Sequence, residues 1–296
     1  MIALTFLIIS SIIGAGFATG AELIAFFGGV GLPPWVIAIL VGVFLLINIY
    51  LIYILDSRGH KPSAFVFIPI YFVFFIAMTA GIAQIAGILT AGIALAISIT
   101  IVIFGFDKLM WVNKWIMIFV LVTILVVTIP NISHIPQSEI RIGRAILSAI
   151  IYSGLNSCML FPIFSKARKR FKPNQIKIAI LASAIIISFF VLIIMSAIRE
   201  GNAMPILALS NNFFVMVTIF LAIFTSQVIS LFNINEATKK LKLPKTKLII
   251  FSTIAFALSL FGFSQIIAFA YPTVGGFMVV YVIIAFGMTK HKQKKK

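Results

Sequence analysis

Glu22 places a carboxylate inside a run that is otherwise almost wholly apolar. It closes the stretch GAGFATGAE, Gly14 to Glu22, inside an apolar run that begins at Ile2 and continues past Phe27. Thr19 stands three residues earlier, giving the T-x-x-E spacing of a capping box. In that motif the Thr19 hydroxyl serves the Glu22 N–H and the Glu22 side chain reaches back to Thr19. Gly14, Gly16 and Gly20 each lower helix stability by about 1 kcal/mol relative to Ala, and glycine admits backbone angles that other residues avoid. The stretch therefore predicts one helical segment ending and another beginning inside the run. Exposed N–H groups and a positive dipole end at such a break favour an anion, and freed carbonyls can hold a cation. The competing reading is that Gly16 and Gly20 form a small-xxx-small face for a neighbouring helix. That explains the glycines but not Glu22, because a carboxylate at the centre of a membrane costs about 2.5–3.5 kcal/mol on insertion scales. Glu22 is then either a structural cap or a group that meets substrate or a proton.

A break of this kind needs an apolar scaffold, and the whole chain is one. Its 296 residues are 62% hydrophobic and only 10% charged, with a mean hydropathy of +1.22, which excludes a soluble domain. A crossing needs about 20 mostly apolar residues. Ten segments qualify, at 2–29, 34–55, 63–87, 89–105, 109–130, 142–164, 176–198, 211–235, 247–262 and 264–288. The third and fourth are separated only by the weak signal ILTAG, so nine is the competing count. The N-terminal run loosely resembles a signal peptide ending at Ala18, but it lacks a basic leading region and resumes after the supposed cut, so it reads as a retained first crossing.

Charge decides between ten and nine. With ten crossings, Arg58 and Lys61, Lys108, SKARKRFKPNQIK, KKLKLPKTK and the terminal KHKQKKK all fall on one side with both termini. Only Arg141, Arg144 and Arg199 of the 23 basic residues fall on the other. Positive loops stay in the cytoplasm, so both ends are expected there, in a multi-pass protein of the cell membrane. The same bias explains the net charge of +17 without a nucleic-acid partner. The single cysteine, Cys158, excludes an internal disulfide and a cysteine-rich metal site. His134 falls in an outer loop and His60 and His291 in cytoplasmic segments, so no histidine pair has metal-ligand spacing. There is no phosphate-binding loop, no H-E-x-x-H and no G-x-S-x-G, and the six acidic residues are scattered. An enzyme and an ATP-driven pump are therefore not expected.

The chain divides into two five-crossing halves, 1–130 and 142–288, around a polar seam at 131–141, with a basic tail at 289–296. An odd number of crossings per half makes the second half enter from the opposite side, an inverted repeat within one transmembrane domain. Crossing six carries its own interruption, YSGLNSCMLFP from Tyr152 to Pro162. Paired interruptions in corresponding crossings point to a transporter's binding site.

IIGAGFATGAELIAFF resembles the first crossing of YkvI-like membrane proteins, a branch of the amino acid, polyamine and organocation transporter superfamily with the LeuT fold. The likeness extends more weakly to Tyr152 and Asn156, to MPILAL at 204–209 and to YPTVGG at 271–276, and it departs at Ala21, where the family usually has Gln. The resemblance implies an all-α integral membrane fold of ten transmembrane helices in a 5+5 inverted repeat, with helices 1 and 6 unwound around a central site. It implies secondary active transport of a small organic solute, such as an amino acid, a related zwitterion or an amine, by alternating access coupled to Na+ or H+ and with no other cofactor. A receptor of the same fold that binds its ligand without moving it is the alternative. Carried onto this chain, substrate would meet Gly14, Ala15, Gly16, Phe17 and Thr19 in crossing one and Tyr152, Ser153, Gly154 and Asn156 in crossing six, beside Glu22. Relatives join carbonyls of crossing one to hydroxyls of crossing eight around sodium, which makes Thr225, Ser226 and Ser230 the expected cation ligands; otherwise these hydroxyls bond to their own helix. Some relatives use a buried lysine of crossing five instead. Lys114 occupies that crossing, although close to its cytoplasmic start, where snorkelling is expected. Gln84, Tyr271 and Pro272 either line the pathway or serve packing.

Overall fold

The structure, a computed structural model, describes residues 1–132, 139–198, 204–210, 212–239, 241, 244, 246–260 and 263–294, the side chains of 264–268 and 290–294 excepted. His134, Arg199 and the last two lysines lie outside the described residues, as do the side chains of Lys290 and His291.

The apolar segments fold as helices in the expected order. Crossing one is split into α1 (Ile2–Ile12), α2 (Ala15–Thr19) and α3 (Ala21–Phe27), followed by α4 (Pro34–Ser57), α5 (Ala64–Ala86), α6 (Ile88–Phe104) and α7 (Phe106–Thr128). The second half has α8 (Ile142–Ser157), α9 (Leu160–Ala167), α10 (Pro173–Ala197), α11 (Pro205–Leu209), α12 (Phe213–Lys239), α13 (Lys247–Ser259) and α14 (Phe263–Lys294). Proline at the first helical position starts α4 and α10, where its missing N–H costs nothing. ILTAG itself opens α6, and the boundary between the third and fourth segments falls one residue earlier, at Gly87, whose φ of 85° ends α5 and starts α6. α14 continues as far as Lys294, into the basic segment that begins at 289.

Among the described residues, six helices are long and apolar enough to cross a membrane, and seven if the bent pair α8–α9 counts as one. The apolar helices α1, α6 and α13 are shorter, at 11, 17 and 13 residues. Large apolar side chains face outward along these helices, as Trp35, Ile39, Val43 and Ile47 do on α4 and Ile178, Leu181, Ile185 and Phe189 on α10. Glu22, Asn48, Asn113, Asn156, Gln227 and Asn233 are buried instead. Polar groups inside and apolar groups outside define a multi-pass membrane protein.

The packing pairs the halves. α5 lies along α12, and α4 lies along α10. The contact of α1 with α7 has its counterpart in α8 with α14, and that of α1 with α10 in α8 with α4. Ion pairs gather several helix ends at one face. Arg168 reaches Asp56 at 3.1 Å, Lys166 reaches Glu236 at 2.8 Å, and Arg170 pairs with Asp107. Arg58 lies 5.0 Å over the Phe286 ring, bringing the end of α14 to the same place.

Candidate functional site

Crossing one breaks where the glycines predict. Ile13 has left helical geometry, the Gly14 N–H turns to the Ile12 carbonyl at 2.9 Å, and Gly20 adopts φ 78° between α2 and α3. Because the Gly14 N–H no longer reaches back four residues, the Ser10 carbonyl is freed. Ser226 on α12 approaches it, its hydroxyl 2.9 Å from Ser10 O and 3.2 Å from Ile13 O. The Ala15 N–H finds only the Met78 sulfur, at 3.4 Å, a weak acceptor.

The capping box does not form. Gly20 takes the N-cap position of α3, so Thr19 is the last residue of α2, and its hydroxyl donates backward to the Ala15 carbonyl at 2.7 Å. Glu22 is thereby released from capping and folds over α2. A Cβ added at Gly16 would lie 2.7 Å from Glu22 Cβ and 2.9 Å from its Oε2, so the glycine makes room for the carboxylate of its own crossing rather than for a neighbouring helix. Gly14 makes similar room for Met78 and Ser226, and Phe17 is fully buried.

Across from it, α8 presents one face. Asn156 donates to Glu22 Oε1 at 3.5 Å and to the Tyr152 carbonyl at 3.0 Å. Tyr152, one turn earlier, stacks edge-on against Phe26 and Phe27 with centroids 5.4 and 5.7 Å away. The buried hydroxyls of Tyr152 and Tyr271 have no hydrogen-bond partner among the described residues. An unsatisfied buried hydroxyl costs about 1–3 kcal/mol.

Ser153 and Gly154 turn elsewhere, because each residue advances about 100° around a helix. Ser153 accepts from Asn48 Nδ2 of α4 at 2.6 Å. Gly154 abuts α14, where an added Cβ would lie 2.6 Å from the Gly275 carbonyl. Both residues pack against neighbouring helices.

Crossing six bends by 52° between α8 and α9 rather than unwinding, since Cys158 and Met159 keep right-handed helical angles. Pro162 explains the bend: it has no N–H to give the Cys158 carbonyl, and its ring crowds that carbonyl. Side chains of other helices take up the slack. Tyr71 donates to the Cys158 carbonyl at a long 3.5 Å, and Asn233 of α12 donates to the Met159 carbonyl at 2.8 Å. Asn233 carried no role in the sequence reading. Its signal was a buried amide in an apolar run, seven residues beyond Ser226.

Of the three expected cation ligands, only Ser226 faces the carbonyls of crossing one. Thr225 donates to Ala222 and Ser230 to Ser226, each within α12. As packed, the position offers the oxygens of Ser10, Ile13 and Ser226, against about six for a typical hard cation. Lys114 lies 4.6 Å over the outward-facing Trp115, as snorkelling predicts, and Gln84 is exposed rather than lining a path. Tyr271 is buried beside Phe74, whereas Pro272 is exposed on α14. His60 joins Tyr281 at 2.8 Å, and no metal-binding cluster of His, Cys, Asp or Glu exists among the described residues. A cavity of about 110 Å³ opens near the gathered helix ends, lined by Asp56, Lys61 and Glu236 at its mouth and by Tyr71 and Phe161 beside the bend.

No family model matches the chain, and no curated protein does. Among solved structures it is similar to Mhp1, a nucleobase-cation-symport-1 family transporter, in a closed conformation with bromovinylhydantoin bound. The likeness has a TM-score of 0.60 at 12% identity, covering 94% of this chain and 76% of that one. At this identity it shows the fold alone, which is LeuT-like.

Proposed function

We propose that the chain is a secondary active transporter of a small organic solute, working by alternating access in the cell membrane with both termini cytoplasmic. The observation that carries this reading is the buried meeting of Glu22 with Asn156 at the break of crossing one. In this reading α1, α6 and α13 also cross, giving ten crossings in two inverted halves. The matched contacts of the halves support that arrangement, and the ion-paired helix ends support a common cytoplasmic face. The cavity reaching the bend of crossing six is then the cytoplasmic approach. The YkvI-like branch of the amino acid, polyamine and organocation superfamily, with an amino acid, zwitterion or amine as cargo and Na+ or H+ as coupling ion, is the assignment that the crossing-one motif favours.

Purified protein in liposomes tests the proposal. Solutes that raise its unfolding temperature are offered under imposed sodium and proton gradients. Accumulation that collapses with the gradient is expected. Saturable binding with no accumulation under either gradient would make the protein a receptor, and flux that never concentrates solute would make it a channel.

A further inference from the structure

Of the three tryptophans, two stand on α7, each beneath a lysine. Lys108 Nζ lies 4.5 Å over the Trp111 ring and Lys114 Nζ 4.6 Å over the Trp115 ring, whereas Trp35, at the start of α4, carries no cation among the described residues. At about 100° per residue the four positions fall within an arc of about 120°, so both pairs share one face of the helix. That face looks away from the protein. Trp111 is 57% and Trp115 55% exposed, and Phe119 and Val122 continue it as exposed apolar side chains over the next two turns.

Neither lysine has a carboxylate to meet. Asp56 is taken by Arg168, Asp107 by Arg170, Glu139 by Arg141, and Glu236 by Lys166 and Lys239, while Glu22 is buried at the break of crossing one. These are all the acidic residues among the described ones. The protein therefore leaves two ammonium groups beside an apolar, outward-facing strip without a counter-charge. The ring under each ammonium holds one side of it and leaves N–H donors on the other. Tryptophan settles at the level of the lipid headgroups, where phosphates are the available acceptors.

The chemistry of the face selects among occupants. An anionic headgroup brings a phosphate whose charge nothing else neutralises. A choline headgroup would add a further cation beside two already present. A soluble phosphate would meet the ammonium groups but leave the apolar length from Trp115 to Val122 uncovered. We propose that this face of α7 docks an anionic phospholipid, its phosphate at the ammonium groups of Lys108 and Lys114 and an acyl chain along Trp115, Phe119 and Val122. In the orientation proposed above the lipid belongs to the cytoplasmic leaflet, and the docking itself stands apart from the transport reading.

Trp35→Phe leaves Trp111 and Trp115 as the only tryptophans of the full chain, so their fluorescence reports this face alone. The purified variant, in an uncharged detergent, is titrated with phosphatidylglycerol or phosphatidylcholine carrying bromine, a quencher, on an acyl chain. Phosphatidylglycerol is expected to quench saturably at about a tenfold lower concentration than phosphatidylcholine, and high salt should shrink that preference. Lys108→Gln combined with Lys114→Gln should abolish it. Lys172→Gln combined with Lys177→Gln removes as much charge from exposed positions on α10 and should leave it in place. Should the first pair of substitutions prevent folding, the salt dependence decides. Equal quenching by the two lipids, indifference to salt, a preference that survives in the folded Lys108 and Lys114 variant, or one lost equally from the α10 variant would each overturn the proposal. Relief of quenching by glycerol phosphate would make this a site for phosphate alone. A dimer by light scattering whose tryptophans no lipid quenches would give the face to a second copy of the chain, and either result would likewise overturn it.

Discussion

In crossing one the helix stops at Ile12, departs from helical angles and restarts across Gly14 and Gly20. Crossing six instead keeps helical angles through Cys158 and Met159 and bends at the carbonyl that Pro162 leaves without a donor. The first interruption is made by its own backbone, with glycine as the permissive residue, and Ser226 of α12 then bonds the carbonyls beside it. The second is held by Asn233 and Tyr71, side chains borrowed from α12 and α5. The two kinds of break should therefore respond differently to substitution: the first to volume added within it, the second to partners removed from outside it.

The largest effect is expected at Gly16. Gly16→Leu places a side chain where even a Cβ would lie 2.7 Å from Glu22, and should lower stability by about 3 kcal/mol while abolishing ligand binding without preventing membrane insertion. Thermal unfolding in detergent and a ligand titration measure both, and normal affinity would move the pocket away from crossing one. Asn233→Leu should cost about 2 kcal/mol, because the buried Met159 carbonyl loses its donor in crossing six. Ser226→Ala should cost about 1 kcal/mol, and should erase any sodium-dependent rise in unfolding temperature if the carbonyls of Ser10 and Ile13 hold the coupling ion. A larger loss for Ser226→Ala than for Asn233→Leu, under the same assay, would reverse the contrast between a self-made break and a supported one.

The contrast also explains what the sequence could and could not reveal. Gly14, Gly16, Gly20 and Glu22 announce the first break because glycine and a carboxylate are local anomalies in an apolar run. The T-x-x-E spacing misled, since Gly20 took the cap position through a positive φ that the spacing does not encode. Tyr152 and Asn156 share a face at i, i+4, whereas Ser153 and Gly154, adjacent in sequence, are rotated onto α4 and α14. The meeting of Glu22 with Asn156 spans 134 residues, and no local pattern carries it. Asn233 and Tyr71 were missed for the same reason: what they satisfy lies in another helix.

Ser226 and Asn233 have a mechanical consequence. They stand seven residues apart on α12, which places them within about 20° of one line along that helix. One grips the interruption in the first half of the chain and the other the interruption in the second. A twist of this single rod about its axis would therefore loosen both grips together, and sliding it lengthwise would carry both the same distance. α12 thus acts as a shared axle, on which neither interrupted helix can shift far without tugging at the other.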